Sequence, residues 1–129
     1  MTEYLLDTHT LIWWLLGDPS LSKSARRVIE EEGGRVFVSA VSTYEVANKV
    51  RLGKLPKLGE LLTDLDETLA ADGFLHLPLS SRHARHAGLM QGDHRDPFDR
   101  MIAAQGFIER KTVVTRDREI AEFGCEVLW

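Results

Sequence analysis

Short runs of consecutive apolar residues alternate along this chain with longer segments in which apolar positions return every three or four residues. Tyr4-Leu5-Leu6, Val36-Phe37-Val38, Phe74-Leu75-His76-Leu77, Thr112-Val113-Val114 and Glu126-Val127-Leu128 are of the first kind and read as strands. Between the first two, Thr8 is placed to cap a helix carrying Leu11, Ile12 and Leu15, and Gly17-Asp18-Pro19 breaks it. Ser20 or Ser22 then starts a second helix through Val28 and Ile29 to Gly33-Gly34. A third helix is expected to start at Ser42 or Thr43, with Glu45 in its first turns and Gly53 and Pro56 marking its end. Leu58, Leu61, Leu62, Leu65 and Leu69 recur at helical spacing and predict a fourth that stops near Asp72-Gly73. Ser81 to Leu89 predicts a helix leading into a polar loop from Gln91 to Arg95. Pro97 then opens a helix carrying Phe98, Met101, Ile102 and Ala103 to about Arg110, and Asp117 to Phe123 reads as a short one.

Continuously apolar strands separated by helices predict an α/β fold, with a mainly parallel sheet covered on both faces. With 129 residues, the chain is long enough for one compact core and short for two, so residues 1–129 are expected to form one domain. At 43% hydrophobic and 28% charged, the balance is that of a globular protein. The lone Cys125 excludes an internal disulfide framework and points to a reducing, cytoplasmic setting. Leu11 to Leu16 is the most apolar run, far short of the roughly 20 residues a membrane span needs, so no membrane association is expected. No basic segment precedes that run and Asp7 interrupts it, so a secretory leader is not expected either.

The net charge of −4 argues against a surface coated in positive charge for nucleic-acid binding. What matters is where the acids fall. In an open parallel sheet, ligands bind beyond the carboxyl ends of the strands, near the point where strand order reverses. Asp7 directly follows the first strand, and Asp117 follows the fourth after Thr115 and Arg116. Asp99 has Ile102, Ala103 and Gly106 as helical neighbours, which is not the setting of a surface acid. Glu45 sits in a helix that begins soon after the second strand and can reach the same edge. Each acid also has an ordinary structural use: Asp7 and Asp117 suit helix caps, Asp96 before Pro97 suits one best, and Glu45 can pair with Lys49. Four carboxylates around one cleft, however, raise one another's pKa unless a cation joins them. All-oxygen ligands without cysteine clusters point to Mg²⁺ or Mn²⁺.

Four segments, Leu5-Leu6-Asp7-Thr8-His9, Glu45 in its post-strand helix, His94-Arg95-Asp96-Pro97-Phe98-Asp99-Arg100 and Thr115-Arg116-Asp117, resemble in order those of PIN-domain ribonucleases, and specifically VapC-type toxins of type II toxin–antitoxin systems. The resemblance covers essentially the whole chain and is most specific in Asp-Pro-Phe-Asp-Arg. It implies a three-layer α/β/α PIN fold, a Mg²⁺- or Mn²⁺-dependent endoribonuclease, and neutralisation by a cognate antitoxin. It also implies in-line attack by a metal-activated water, leaving a 5′-phosphate and a 3′-hydroxyl. Asp7, Glu45, Asp99 and Asp117 match its catalytic and metal-binding quartet. Asp7 and Asp99 would be the principal ligands, with Glu45 and Asp117 orienting water or completing a second metal site. Asp96 matches an additional acid, and Thr115 a hydroxyl that supports the metal site.

Lys49, Arg51, Arg95, Arg100 and Arg116 flank these acids and are candidates for RNA phosphates, or else ordinary solvated side chains. His9 and His94 adjoin motif acids and are placed to contact substrate or fix a loop, whereas His83 and His86 lack the further ligands a metal site needs. The adjacent Trp13 and Trp14 cannot share one narrow helix face, and with the leucine-rich segment they are compatible with a homodimer or an antitoxin groove. Two other functions fit part of the pattern: a regulatory domain in which Asp7 accepts a phosphoryl group, and a PIN-like module that binds RNA or protein without cutting. Acids spread over two strand ends and two helices, with no acidic pair plus lysine, weigh against the first. Retention of all four acids weighs against the second.

Overall fold

The computed structural model describes residues 1–32 and 35–129. Its sheet contains β1 (Tyr4–Leu6), β2 (Val36–Ser39), β3 (Leu75–Leu77), β4 (Thr112–Val114) and β5 (Val127–Leu128), ordered β3-β2-β1-β4-β5 with every pairing parallel. Tyr4, Leu5 and Leu6 pair with Val36, Phe37 and Val38 on one side and with Thr112, Val113 and Val114 on the other. The chain winds from β1 outward to β3, then crosses back to build β4 and β5 on β1's free edge. Strand order therefore reverses between β1 and β4, which opens a crevice at their carboxyl ends.

Alternate residues of each strand feed opposite faces. Leu6, Val36, Val38 and Val114 pack with Leu11, Ile12, Ala25, Ile29, Val46 and Leu69, from α1 (Thr8–Leu16), α2 (Lys23–Glu31), α3 (Ala40–Arg51) and α4 (Leu65–Ala71). Leu5 and Val113 pack on the other face with Ile102 and Ala103 of α6 (Pro97–Ile108), and with Ile120 and Cys125. α5 (Ser81–Leu89) lies against α6. Burial on both faces is why these strands read as unbroken apolar runs, and the three layers are those expected. Among the described residues, no helix is long and apolar enough to cross a membrane.

Three boundaries depart from the sequence expectations. α1 starts at Thr8 itself, because Asp7, the other cap the sequence offers, takes the N-cap position with its carboxylate accepting from Thr10 N–H at 2.8 Å. Ser39 caps α3, so that helix starts before Ser42 and Thr43, and Ser42 turns inward to meet Thr8. The leucine-rich segment is not one helix: 3₁₀ turns at Pro56–Leu58 and Leu61–Asp64 precede α4. Pro56 and Gly59 disfavour a continuous α-helix there, while Leu58, Leu65 and Leu69 still reach the core. Ser22 caps α2, and the stop expected at Gly33-Gly34 lies outside the described residues.

Gly106 sets the fit of α6 on the sheet. A Cβ there would lie 2.6 Å from a methyl of Val113, which is itself fully buried in β4. Gly106→Ala is expected to cost about 1–3 kcal/mol, the strain outweighing the roughly 1 kcal/mol that alanine gains in a helix interior. Denaturant titration checks this, and a variant as stable as the parent would mean that Val113 can move aside.

Candidate active site

The crevice beyond β1 and β4 is a cavity of about 210 Å³ lined by Asp7, His9, Trp13, Asp99, Arg116 and Asp117. Asp7 is placed by the turn from β1 into α1, and it is almost fully buried. One of its oxygens accepts from Thr10 N–H, the other from the Thr115 hydroxyl, and the Thr10 hydroxyl donates to Val114 C=O at 2.8 Å. The end of β4 is thus tied to the start of α1. Thr115 Oγ1 also accepts from Asp117 N–H at 3.0 Å, so one buried hydroxyl holds two of the candidate acids.

Glu45 is buried on α3, where Thr8 donates to it at 2.7 Å and Lys49 Nζ lies 3.7 Å from its other oxygen. The ordinary i,i+4 partner is therefore present, although this pair faces inward. Asp96 is an exposed N-cap of α6, accepting from Phe98 N–H at 2.9 Å and Asp99 N–H at 3.3 Å, as its place before Pro97 suggested. Asp99 follows in the first turn and is partly buried. Burial and the nearby Asp96, Asp7 and Glu45 carboxylates push its pKa up to about 7, against a partial counterweight from His94. A carboxyl with this many like-charged neighbours has too little positive charge around it, which is the setting a cation relieves.

His94, which the sequence places to contact substrate or fix a loop, faces the acids directly. Its Nε2 lies 3.0 Å from Asp117, 3.5 Å from Asp99 and 3.8 Å from Glu119. Burial pulls its pKa down, but the hydrogen bond to Asp117 and the charges of Asp99, Asp117 and Glu119 outweigh this and leave it raised. Among the described residues, one donor atom each from His94, Asp117 and Glu119 falls within 4.8 Å of the others. Thr8, Ser42 and Glu119 join the site without being singled out by the sequence. Thr8 stands between two motif residues and Ser42 lies three before Glu45, which are local hints, while Glu119's approach to His94 depends on tertiary structure.

The five basic candidates diverge. Arg116 lines the cavity, its guanidinium carbon 4.7 Å from the centre of the Trp13 ring. Lys49 is taken up by Glu45, and exposed Arg51 donates to Asn48 at 2.6 Å. Arg95 is exposed on the loop before α6. Arg100, an RNA candidate by its place in the sequence, instead folds back to donate to the carbonyls of Ala87, Met90 and His94 and lies over Phe123, so its guanidinium fastens the loop. His9 is exposed at the cavity and tilts against Trp13. Trp14 turns the other way, donating to Asp72 at 3.0 Å, and His83 is a buried packing residue held by Ser80 and Glu109. A larger cavity of about 820 Å³, whose lining includes Arg82, Phe107 and Thr112, contains none of the four acids. It opens at the start of β4, the opposite edge of the sheet from the crevice.

Residues 4–124 match the PIN domain family. The chain is 30% identical over 125 residues to ribonuclease VapC22 of Mycobacterium tuberculosis, covering 93% of this chain and 91% of that protein. Among solved structures it resembles VapBC2 from Rickettsia felis bound to a promoter DNA fragment, with TM-score 0.74, 15% identity and 98% of each chain covered. DNA-bound VapBC from Salmonella typhimurium matches with TM-score 0.73 and 21% identity, over 99% of this chain and 98% of that one.

Proposed function

We propose that this chain, which belongs to the PIN domain family, is a Mg²⁺- or Mn²⁺-dependent endoribonuclease and the toxin of a toxin–antitoxin pair. The observation that carries the proposal is the convergence of Asp7, Asp99 and Asp117 on one cavity at the β1/β4 reversal, with Glu45 close enough to add its charge to Asp99. The match to a ribonuclease over nearly the whole chain supports it.

The donor set is all carboxylate oxygen and suits a hard divalent cation. Asp7 and Asp99 would be the principal ligands, completed by Asp117 and Glu45. Such an ion, when bound, would supply an acidified water and neutralise charge on the scissile phosphodiester. The chain's own part is orientation. Thr10 N–H and the Thr115 hydroxyl fix Asp7, Thr8 fixes Glu45, and Glu119 N–H fixes Asp117 at 2.9 Å. Arg116 is the cation placed in the cavity wall for a phosphate of the substrate, whose hydrolysis would leave a 5′-phosphate and a 3′-hydroxyl. An aspartyl phosphoacceptor is disfavoured because both oxygens of Asp7 already accept hydrogen bonds. The partners of this reading are an RNA substrate, a cognate antitoxin and a second copy of the chain, in a reducing cytoplasm consistent with the buried free thiol of Cys125.

End-mapping of total RNA incubated with the purified chain tests the activity. New 5′-phosphate ends are expected with Mg²⁺ or Mn²⁺, and none after chelation. Identical end profiles in both conditions would refute cleavage and leave a non-cutting binding module.

A further inference from the structure

The carboxylates occupy only part of the cavity, and the remaining wall is aromatic and cationic. His9 and Trp13 stand one turn apart on α1 with ring centres 5.7 Å apart. Trp129, from the end of the chain, braces Trp13 at 5.7 Å with the rings tilted by 59°, while Arg116 approaches the same indole. Trp13 also packs on the core beneath α1 but remains half-buried and lines the cavity beside Asp7 and Asp117. A metal site needs none of this wall.

We infer that Trp13, braced by Trp129 and layered with Arg116, is the stacking platform for an unpaired nucleobase next to the scissile phosphate. The inference rests on the ribonuclease reading for its substrate. A phosphodiester drawn to the acid-bound cation carries its nucleoside beside it, and the cavity surface available to that nucleoside is His9, Trp13 and Arg116. Bases in a duplex are already stacked, whereas those in loops and single strands are free to stack on an aromatic ring or a guanidinium plane. The platform therefore selects unpaired RNA and tolerates several bases, because every base offers a π face. Arg116 has two uses here, since its plane can stack while its charge attracts the adjoining phosphate.

The test measures binding by fluorescence anisotropy, with Ca²⁺ in place of the catalytic ion to occupy the carboxylates, of a short labelled single-stranded oligoribonucleotide and of a matched oligomer lacking its bases. Cleavage of the base-bearing oligomer with Mg²⁺ or Mn²⁺ is followed in parallel. The wild-type chain is expected to bind the base-bearing oligomer on the order of tenfold more tightly than the abasic one. Trp13→Ala is expected to bring that ratio close to one, and Trp13→Phe to keep most of it. The wild-type comparison does not depend on either variant folding, and equal wild-type affinity for both oligomers overturns the platform. So does an undiminished ratio in Trp13→Ala. Cleavage together with either of these results overturns the platform alone. A Trp13-dependent base preference without cleavage overturns the nuclease reading alone, and absence of binding and cleavage overturns both.

Discussion

Asp99→Asn is expected to lower metal-dependent RNA cleavage by on the order of 10²–10³-fold while making the metal-free chain more stable above neutral pH. The two effects have one origin. In the unfolded chain this carboxyl titrates near the ordinary value of 3.8, and in the folded chain near about 7. Between those values the folded state holds the proton and the unfolded state has released it, so stability falls as pH rises through that window. The full cost is reached above the folded value, and because the carboxyl is only part-buried, solvent screening holds it to about 1–2 kcal/mol. Asparagine carries no charge to bury and escapes the penalty. Thermal unfolding in chelator should therefore separate the two proteins clearly near about pH 8 and bring them together near about pH 4, where the carboxyl is protonated in the folded chain. Adding Mg²⁺ or Mn²⁺ should raise the Tm of the wild type, because binding to the folded state alone stabilises it, and should raise that of Asp99→Asn much less. A variant that is no more stable than wild type at the higher pH would show that Asp99 is not crowded by its neighbours. One that still cuts RNA at the wild-type rate would remove it from the catalytic set.

The parts of this architecture legible in sequence are those fixed by local periodicity. Three-residue apolar runs such as Tyr4-Leu5-Leu6 and Thr112-Val113-Val114 had to be strands buried on both faces, and their alternation with helices left a parallel sheet as the economical arrangement. Asp7 and Asp117 could be put at one edge because each follows a strand closely. Failures arose where the decisive partner is distant in sequence. Ser39, Ser42 and Thr43 are all competent caps, and the choice fell on Ser39, which also donates to buried Gln105 at 2.6 Å from a helix 66 residues away. The leucines from 58 to 69 have helical spacing, yet the chain breaks around Pro56 and Gly59 and still buries several of them, since burial needs only that each side chain reach the core. His94 meets Asp117 across 23 residues, through a loop whose conformation no pattern of its own specifies.

Arg100 is where sequence adjacency misled most, and it carries the second large prediction. It stands beside Asp99 in a motif that invites an RNA contact, yet its guanidinium reaches Ala87 C=O at 3.1 Å, His94 C=O at 2.9 Å and Met90 C=O. Three carbonyls of the α5–α6 connection converge on one planar fork, which a point charge on a flexible stem cannot reproduce. Arg100→Ala is expected to lose about 2–4 kcal/mol of stability, and Arg100→Lys to recover little of it, because carbonyls turned inward lose charge-assisted partners. Cleavage should fall as well, since the loop being loosened carries His94 and leads to the Asp96 cap of α6. The dependence of RNA affinity on salt separates this role from a direct contact. Releasing a phosphate contact reduces the slope of log affinity against log salt by about one, with little change in stability, and that is the behaviour expected of Arg116→Ala. Arg100→Ala should instead lower the Tm and leave the slope as it is in the wild type. A variant that kept its Tm and lost the slope would return Arg100 to the RNA-binding surface and would mean that the three carbonyls find other partners.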